Sequence, residues 1–236
     1  MLAKTWEAGR DKCFQYFPET LENDTLVVND EDECGDSFKA TVKLLECEHD
    51  AASRSIVRRL QVTVGEEEKT IWHILFSRWP DFSVPEGANR TALLELIKLS
   101  VTKNVEADRP RFVHCSAGVG RSGTFIALDY LLDELARGHL QTAPDDTDII
   151  FDTVNRLREQ RIMMVQSEAQ YAFIYQIMLE KWNERYLYQD LSGAQSSRAR
   201  LVHQSPTKEE TKAAELASLA QEANAEMAQN VEKMEH

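Results

Sequence analysis

Alternation of apolar and polar side chains governs the stretch 37–77. Ala40-Thr41-Val42-Lys43-Leu44 and Leu60-Gln61-Val62-Thr63-Val64 repeat with period two, as strands do, and Gly65 with its acidic neighbours breaks the run. After Pro80 the period changes to that of a helix, with Leu93, Leu94, Ile97 and Val101 on one face. A short buried strand is expected over 111–114, behind Pro110. Helices are expected over 124–136, 147–159 and 167–184. The order predicts an α/β fold: a central mixed, twisted β-sheet flanked by helices.

Two segments stand outside this pattern. Asp30, Glu31, Asp32, Glu33 and Asp36 crowd into an acidic loop without the ligand register of an EF-hand, so a solvated loop is expected there. Beyond Tyr188 the text turns polar and rich in Ala, Glu and Gln, with Leu216, Leu219, Ala223, Met227, Val231 and Met234 at loosely helical spacing. The domain is therefore expected over 1–188, with 189–236 a tail that is disordered or a lone helix.

Composition narrows the function classes. The chain has 236 residues, 42% hydrophobic and 28% charged, which suits one soluble globular core. A net charge of -13 disfavours nucleic-acid binding, which needs clustered Lys and Arg. Cys13, Cys34, Cys47 and Cys115 form no CxxC pair, so neither a zinc ribbon nor a disulfide framework is indicated, and a reducing cytoplasmic or nuclear setting fits. No signal pattern opens the chain and no apolar run is long enough to span a bilayer. No membrane association, no cofactor and no metal are expected, and a monomer is.

Candidate chemistry concentrates in His114-Cys115-Ser116-Ala117-Gly118-Val119-Gly120-Arg121-Ser122-Gly123-Thr124, between the expected strand and a helix expected to start near Ser122. A strand, a glycine-rich turn and a helix start make an anion site, because backbone N–H groups of residues 116–120 can curl inward. A free thiol with a pKa near ~8.5 is a poor nucleophile at neutral pH, so such a loop must favour thiolate; the inward N–H groups, the helix start and the Ser122 hydroxyl supply that. Beyond five intervening residues, Arg121 can hold two phosphate oxygens with its planar fork. His114 suits hydrogen bonds that hold the loop. Two other readings compete. Gly118, Gly120 and Gly123 also satisfy GxGxxG, but the second strand of a dinucleotide site does not follow. A Cys115 that is merely a small buried apolar residue leaves Arg121 and the glycines unexplained.

The same eleven residues resemble the HCSAGxGRSGT hallmark of the non-receptor, fungal-like protein tyrosine phosphatases. Three more motifs match in order: Trp79-Pro80-Asp81-Phe82, Gln166-Ser167-Glu168-Ala169-Gln170-Tyr171, and an upstream stretch with Glu7, Lys12, Cys13, Tyr16 and Pro18. The resemblance implies that Cys115 attacks phosphotyrosine and that Asp81, on a loop hinged near Trp79 and Pro80, protonates the leaving phenolate. It implies that Gln166 orients the water that releases phosphate. It also pairs Glu7 with Arg121, gives Lys12 a supporting place, and lines the pocket with residues 116–121, Asp81, Phe82, Gln166 and Gln170. Ser167 to Gln170 is in addition an S-x-x-Q capping box, an equally good reason for Gln170. Met163 stands where many relatives have a small residue, which predicts narrowed access. The family's domains include an upstream segment with a KNRY-type loop that this sequence does not contain. The implied activity is hydrolysis of phosphotyrosine in proteins, with a phosphorylated MAP kinase as a candidate substrate. Two alternatives stay open: an impaired, truncated phosphotyrosine-binding scaffold, and a dual-specificity phosphatase.

Overall fold

In the computed structural model the described residues are 1–194 apart from 8, 32–34, 36–37, 106–108 and 143–146, with the backbone alone for 187–194. Four strands form the main sheet in sequence order: β3 (Thr25–Val28), β4 (Ala40–Asp50), β5 (Ser55–Val64) and β6 (Glu67–Leu75). A hairpin of β1 (Trp6–Glu7) and β2 (Arg10–Asp11) precedes it. Both alternating segments of the sequence lie in the sheet, where Val42 faces Val62 and Leu44 faces Leu60 across β4 and β5. Their inward side chains join Met1 and Phe17 in a buried cluster. Gly65, at φ +59°, opens the two-residue turn between β5 and β6, a conformation glycine takes without a Cβ clash.

The paired strands of this sheet all run antiparallel. The parallel component of the expected mixed sheet is reduced to backbone bonds made by the first residues. The Met1 amine donates to Ile74 O (2.8 Å), Phe76 N to Met1 O (3.0 Å), and Leu2 N to His114 O (2.8 Å). The expected strand over 111–114 is therefore a correction. That segment lacks a strand's ladder, and Phe112 is 87% exposed.

Among the described residues four α-helices follow the sheet: α1 (Ala88–Lys103), α2 (Gly120–Arg137), α3 (Ile149–Gln160) and α4 (Glu168–Ala194). Helix α2 buries Phe125, Leu128, Leu131 and Leu135, spaced at three and four, and ends on Gly138 in the left-handed conformation (φ +80°). It starts at Gly120, two residues before the expected Ser122. Helix α3 is capped by Asp148, which accepts from Phe151 N at 2.9 Å.

Met1–Tyr175 form one compact unit and 176–236 a second. In the second, α4 runs past the expected boundary at 188 to Ala194, and Trp182 stacks on Tyr186 with ring centroids 4.5 Å apart. The tail expected beyond it lies outside the described residues from 195 on, as do Asp32, Glu33, Cys34 and Asp36 of the acidic loop. Asp30 of that loop pairs with Lys39. No helix among the described residues is long and apolar enough to cross a membrane.

Candidate active site

The turn from His114 into α2 places Cys115 at the bottom of a shallow loop. Ser116 and Ala117 are exposed, while Cys115, Gly120, Arg121 and Ser122 are buried. Gly118 adopts φ +73°, which makes the tight curl possible. The residue that caps α2 is Val119, whose side chain cannot cap, so the first N–H groups of the helix keep their capacity for a ligand.

Burial alone would push the Cys115 thiol up. The Ser122 hydroxyl, the N–H groups of Ser122 and Gly118, and the Arg121 charge outweigh burial and hold the thiol below its ordinary value. Ser122 Oγ is buried with no hydrogen-bond partner in place, so its proton can turn to the sulfur as charge develops there.

Arg121 is 1% exposed and stands at the centre of the site. Its Nη1 donates to both Glu7 carboxylate oxygens (3.2 and 3.1 Å) and to Trp79 O (3.0 Å). Its Nη2 donates to Asp81 Oδ1 at 3.1 Å, and its Nε is buried without a partner. Lys12 Nζ donates to Asp81 Oδ2 at 2.7 Å. Burial raises the Asp81 carboxyl, but the Lys12 hydrogen bond and the Arg121 and Lys12 charges prevail and hold it below the usual carboxylate value. Glu7, Lys12, Asp81 and Arg121, far apart in the sequence, thus share one hydrogen-bond network. Trp79 is buried, with its indole N–H on Ser83 O (2.8 Å), whereas Pro80 and Phe82 are exposed, Phe82 at φ +59°.

Gln166 and Gln170 lie against the loop from the other side. A Cβ on Gly120 would meet Gln170 Oε1 at 3.1 Å and Gln166 Oε1 at 3.2 Å, so glycine is what lets both amides approach. The capping box is formed as well. Ser167 Oγ accepts from Gln170 N (3.2 Å), and Gln170 Oε1 accepts from Ser167 N (3.3 Å) and Gln166 N (3.2 Å). The Gln170 amide also donates to Ser83 O at 3.4 Å, which joins this helix start to the segment after Asp81.

His114 joins a chain of side-chain hydrogen bonds behind the loop. Its Nε2 meets Tyr16 Oη at 2.6 Å, and the same hydroxyl meets His73 Nε2 at 3.1 Å. Burial and the nearby Met1 amine hold His114 below its ordinary value, so it is neutral near pH 7.

Sequence reasoning missed the props of the loop. Arg161 donates to Ala117 O (3.1 Å), Val165 N donates to Val119 O (3.1 Å), and Arg158 donates to Met164 O (3.0 Å) and Val165 O (3.1 Å). In the sequence these arginines read as ordinary cations near a helix end, and no spacing signals the bond of Arg161 to a carbonyl some forty residues upstream. Met163 is exposed at the edge of this segment, at φ +62°. Among the described residues no group of three or more His, Cys, Asp or Glu side chains could hold a metal ion.

A thiol favoured as thiolate thus stands beside the charge of a two-edged guanidinium that is tied to carboxyl groups, the kinds of group that phosphate chemistry calls for. A model described as protein-tyrosine phosphatase matches residues 1–180, and the chain belongs to that family. The phosphatidylinositol phosphatase PTPRQ of Rattus norvegicus is 37% identical over 180 residues, covering 76% of this chain and 7% of its own length. Tyrosine-protein phosphatase 1 of Schizosaccharomyces pombe is 32% identical over 183 residues, 75% of this chain and 31% of that protein. The chain thus spans less than a third of these two relatives. Among solved structures, the Trypanosoma brucei protein tyrosine phosphatase TbPTP1 aligns with a TM-score of 0.64 at 32% identity, over 76% of this chain and 59% of that one. The catalytic domain of human protein tyrosine phosphatase non-receptor type 18 aligns with a TM-score of 0.62 at 26% identity, over 77% and 58%.

Proposed function

We propose that this chain hydrolyses phosphotyrosine in proteins through a phosphocysteine intermediate. The carrying observation is the Arg121 fork: one edge is tied to Glu7 and Trp79 O, while the other presents an unpartnered Nε and an Nη2 held by Asp81. Two phosphate oxygens fit that edge bidentately. A third oxygen can face the inward N–H groups of residues 116–120.

In the first step the Cys115 sulfur attacks phosphorus, an S–P bond forms, and the ester P–O bond breaks. Tyrosinate is a poor leaving group because the phenol pKa is near ~10, so Asp81 gives it a proton. Asp81 has to be protonated for this. The Lys12 and Arg121 contacts oppose that in the free site, and a bound phosphate dianion, sharing Arg121 and repelling the carboxylate, reverses the balance. In the second step water, oriented by Gln166, attacks phosphorus, returns its proton to Asp81 and releases phosphate and thiolate. Ser122 supports the sulfur in both steps, and Trp79 and Pro80 frame the loop that carries Asp81 and Phe82.

Structures of PTPN18 include complexes with HER2 phosphopeptides, which supports tyrosine-phosphorylated protein as the substrate class. A phosphorylated MAP kinase in the cytoplasm or nucleus is the specific substrate we carry forward, in a role in signal transduction by a monomer. The decisive experiment compares release of phosphate from a tyrosine-phosphorylated peptide, its serine-phosphorylated twin, a MAP kinase activation-loop peptide and a phosphoinositide, with Cys115→Ser as control. Tyrosine-selective release that the substitution abolishes supports the reading. Turnover of the serine peptide at a similar rate transfers it to a dual-specificity phosphatase. Binding without turnover by a folded chain transfers it to a scaffold.

A further inference from the structure

The peptide units of the phosphate loop have carbonyls as well as amides, and each carbonyl needs an outside anchor if its partner amide is to face the anion. A trans peptide is planar, so the C=O of one residue and the N–H of the next point in opposite directions. Turning Ala117 O outward therefore turns Gly118 N–H inward. Turning Val119 O outward does the same for Gly120 N–H.

Both carbonyls are held from one neighbouring segment. Val165 N anchors Val119 O by a main-chain bond of 3.1 Å, and Gly123 N also reaches that oxygen at 3.0 Å. Ala117 O has the Arg161 side chain, with Nη2 at 3.1 Å. The guanidinium also lies close to the turn: a Cβ placed on Gly118 would sit 3.4 Å from the same nitrogen. Gly118, at φ +73°, is the most freely rotating member of the loop, since glycine accepts either sign of φ. The Ala117–Gly118 peptide is thus free to flip unless something fixes it, and its N–H is among the groups that support the Cys115 sulfur.

We infer that Arg161 is a positioning residue for the nucleophile: by holding Ala117 O it fixes the peptide plane that aims Gly118 N–H at Cys115. Arg161 never touches the sulfur. It is exposed, at the end of α3, and its backbone N caps that helix on Leu157 O (3.0 Å). The other groups acting on the sulfur are Arg121 and Ser122 from α2 and the Met1 amine, with Glu7 and Asp81 paired to Arg121 and His114 bonded to the Cys115 backbone oxygen. Those remain in place when the Arg161 side chain is shortened.

The inference deepens the phosphatase reading but is tested without turnover. The rate at which iodoacetate alkylates Cys115 is followed against pH in the full chain, for the parent, Arg161→Met and Arg161→Lys, with Cys13→Ser, Cys34→Ser and Cys47→Ser in all three backgrounds. Arg161→Met is expected to move the midpoint upward by about one unit, a roughly tenfold slower reaction below it. The shift persists in 1 M salt, which screens a distant exposed charge but not a lost hydrogen bond. Arg161→Lys, which can still reach the carbonyl, restores part of it. An unchanged midpoint in Arg161→Met with unchanged melting temperature overturns the inference, and so does a shift that salt removes. If the parent fails to hydrolyse phosphotyrosine while the midpoint still moves, the phosphatase reading falls and the positioning role stands.

Discussion

Asp81 and Arg121 are held together in the free site, Oδ1 to Nη2 at 3.1 Å, on the edge of the guanidinium that a phosphate needs. In the proposed reaction Asp81 is thus both the acid and an occupant that substrate displaces. Asp81→Ala is expected to lower kcat by about 10²–10⁴, the usual worth of general acid catalysis, while tightening phosphopeptide binding because a competing anion is gone. Stopped turnover measurements beside calorimetric affinities check this. Weakened binding together with slowed turnover would show that Asp81 holds Arg121 open rather than filling its edge.

Gly123 leaves no room for a methyl group. A Cβ there would lie 2.5 Å from Val165 N, inside the contact that anchors Val119 O. Gly123→Ala is expected to cost about 1–3 kcal/mol, in the range of overpacked cores, and to reduce activity by more than the unfolded fraction explains. Denaturant melts and activity on the same samples separate the two effects. Wild-type turnover in the variant would mean that the two loops can part without harm.

His73 is buried beside Phe17 and Tyr16, and burial, with the Met1 amine and Arg58 nearby, pushes it down to about 3. A base depressed on folding stays neutral in the native state while the unfolded chain takes up a proton below its ordinary value of 6.5. Stability from this group is complete above that pH and falls as the pH drops toward 3, by several kcal/mol in order of magnitude. The Met1 amine, pushed down to about 5 by burial, has the same sign. His73→Gln is therefore expected to flatten the melting-temperature profile between pH 6.5 and 5, a window above ordinary carboxylate titration. An unaltered slope there would place the acid sensitivity elsewhere.

Met163 holds a left-handed backbone, φ +62°, that costs an ordinary side chain about 1 kcal/mol. Glycine relieves that strain but loses more chain entropy on folding, so Met163→Gly should leave stability within about 0.5 kcal/mol. Its effect belongs to access: the ranking of phosphotyrosine peptides is expected to change, bulky flanking residues gaining most. Parallel kcat/KM values on a peptide panel test it, and an unchanged ranking would remove Met163 from specificity.

Legibility in the sequence followed the range of the interactions. The strands around Val42 and Leu60, the helical faces around Leu93 and Leu128, and the box from Ser167 to Gln170 are local patterns, and they appear where their spacing puts them. The site residues were named because the loop and its family resemblance name them, and Glu7, Lys12, Asp81 and Arg121 then meet in space. The segment 111–114 misled because Phe112 and Val113 have strand propensity, yet a strand needs a neighbour along its length and Leu2 supplies a single bond there. Arg161 and Tyr16 are invisible as props because bonds to a distant carbonyl and to distant ring nitrogens leave no periodic trace.

The contacts that complete the Arg121 fork span the chain: its partners lie 114 residues away at Glu7, 42 at Trp79 and 40 at Asp81, and Tyr16 reaches His114 across 98. Loop closure over such separations costs entropy before any contact repays it, so these joints form late in folding. While a ribosome is still extending the chain short of residue 121, Glu7 and Asp81 exist without the cation that gathers them, and no phosphate is gripped. Competence for chemistry therefore arrives in a single event near the end of folding, rather than growing piece by piece.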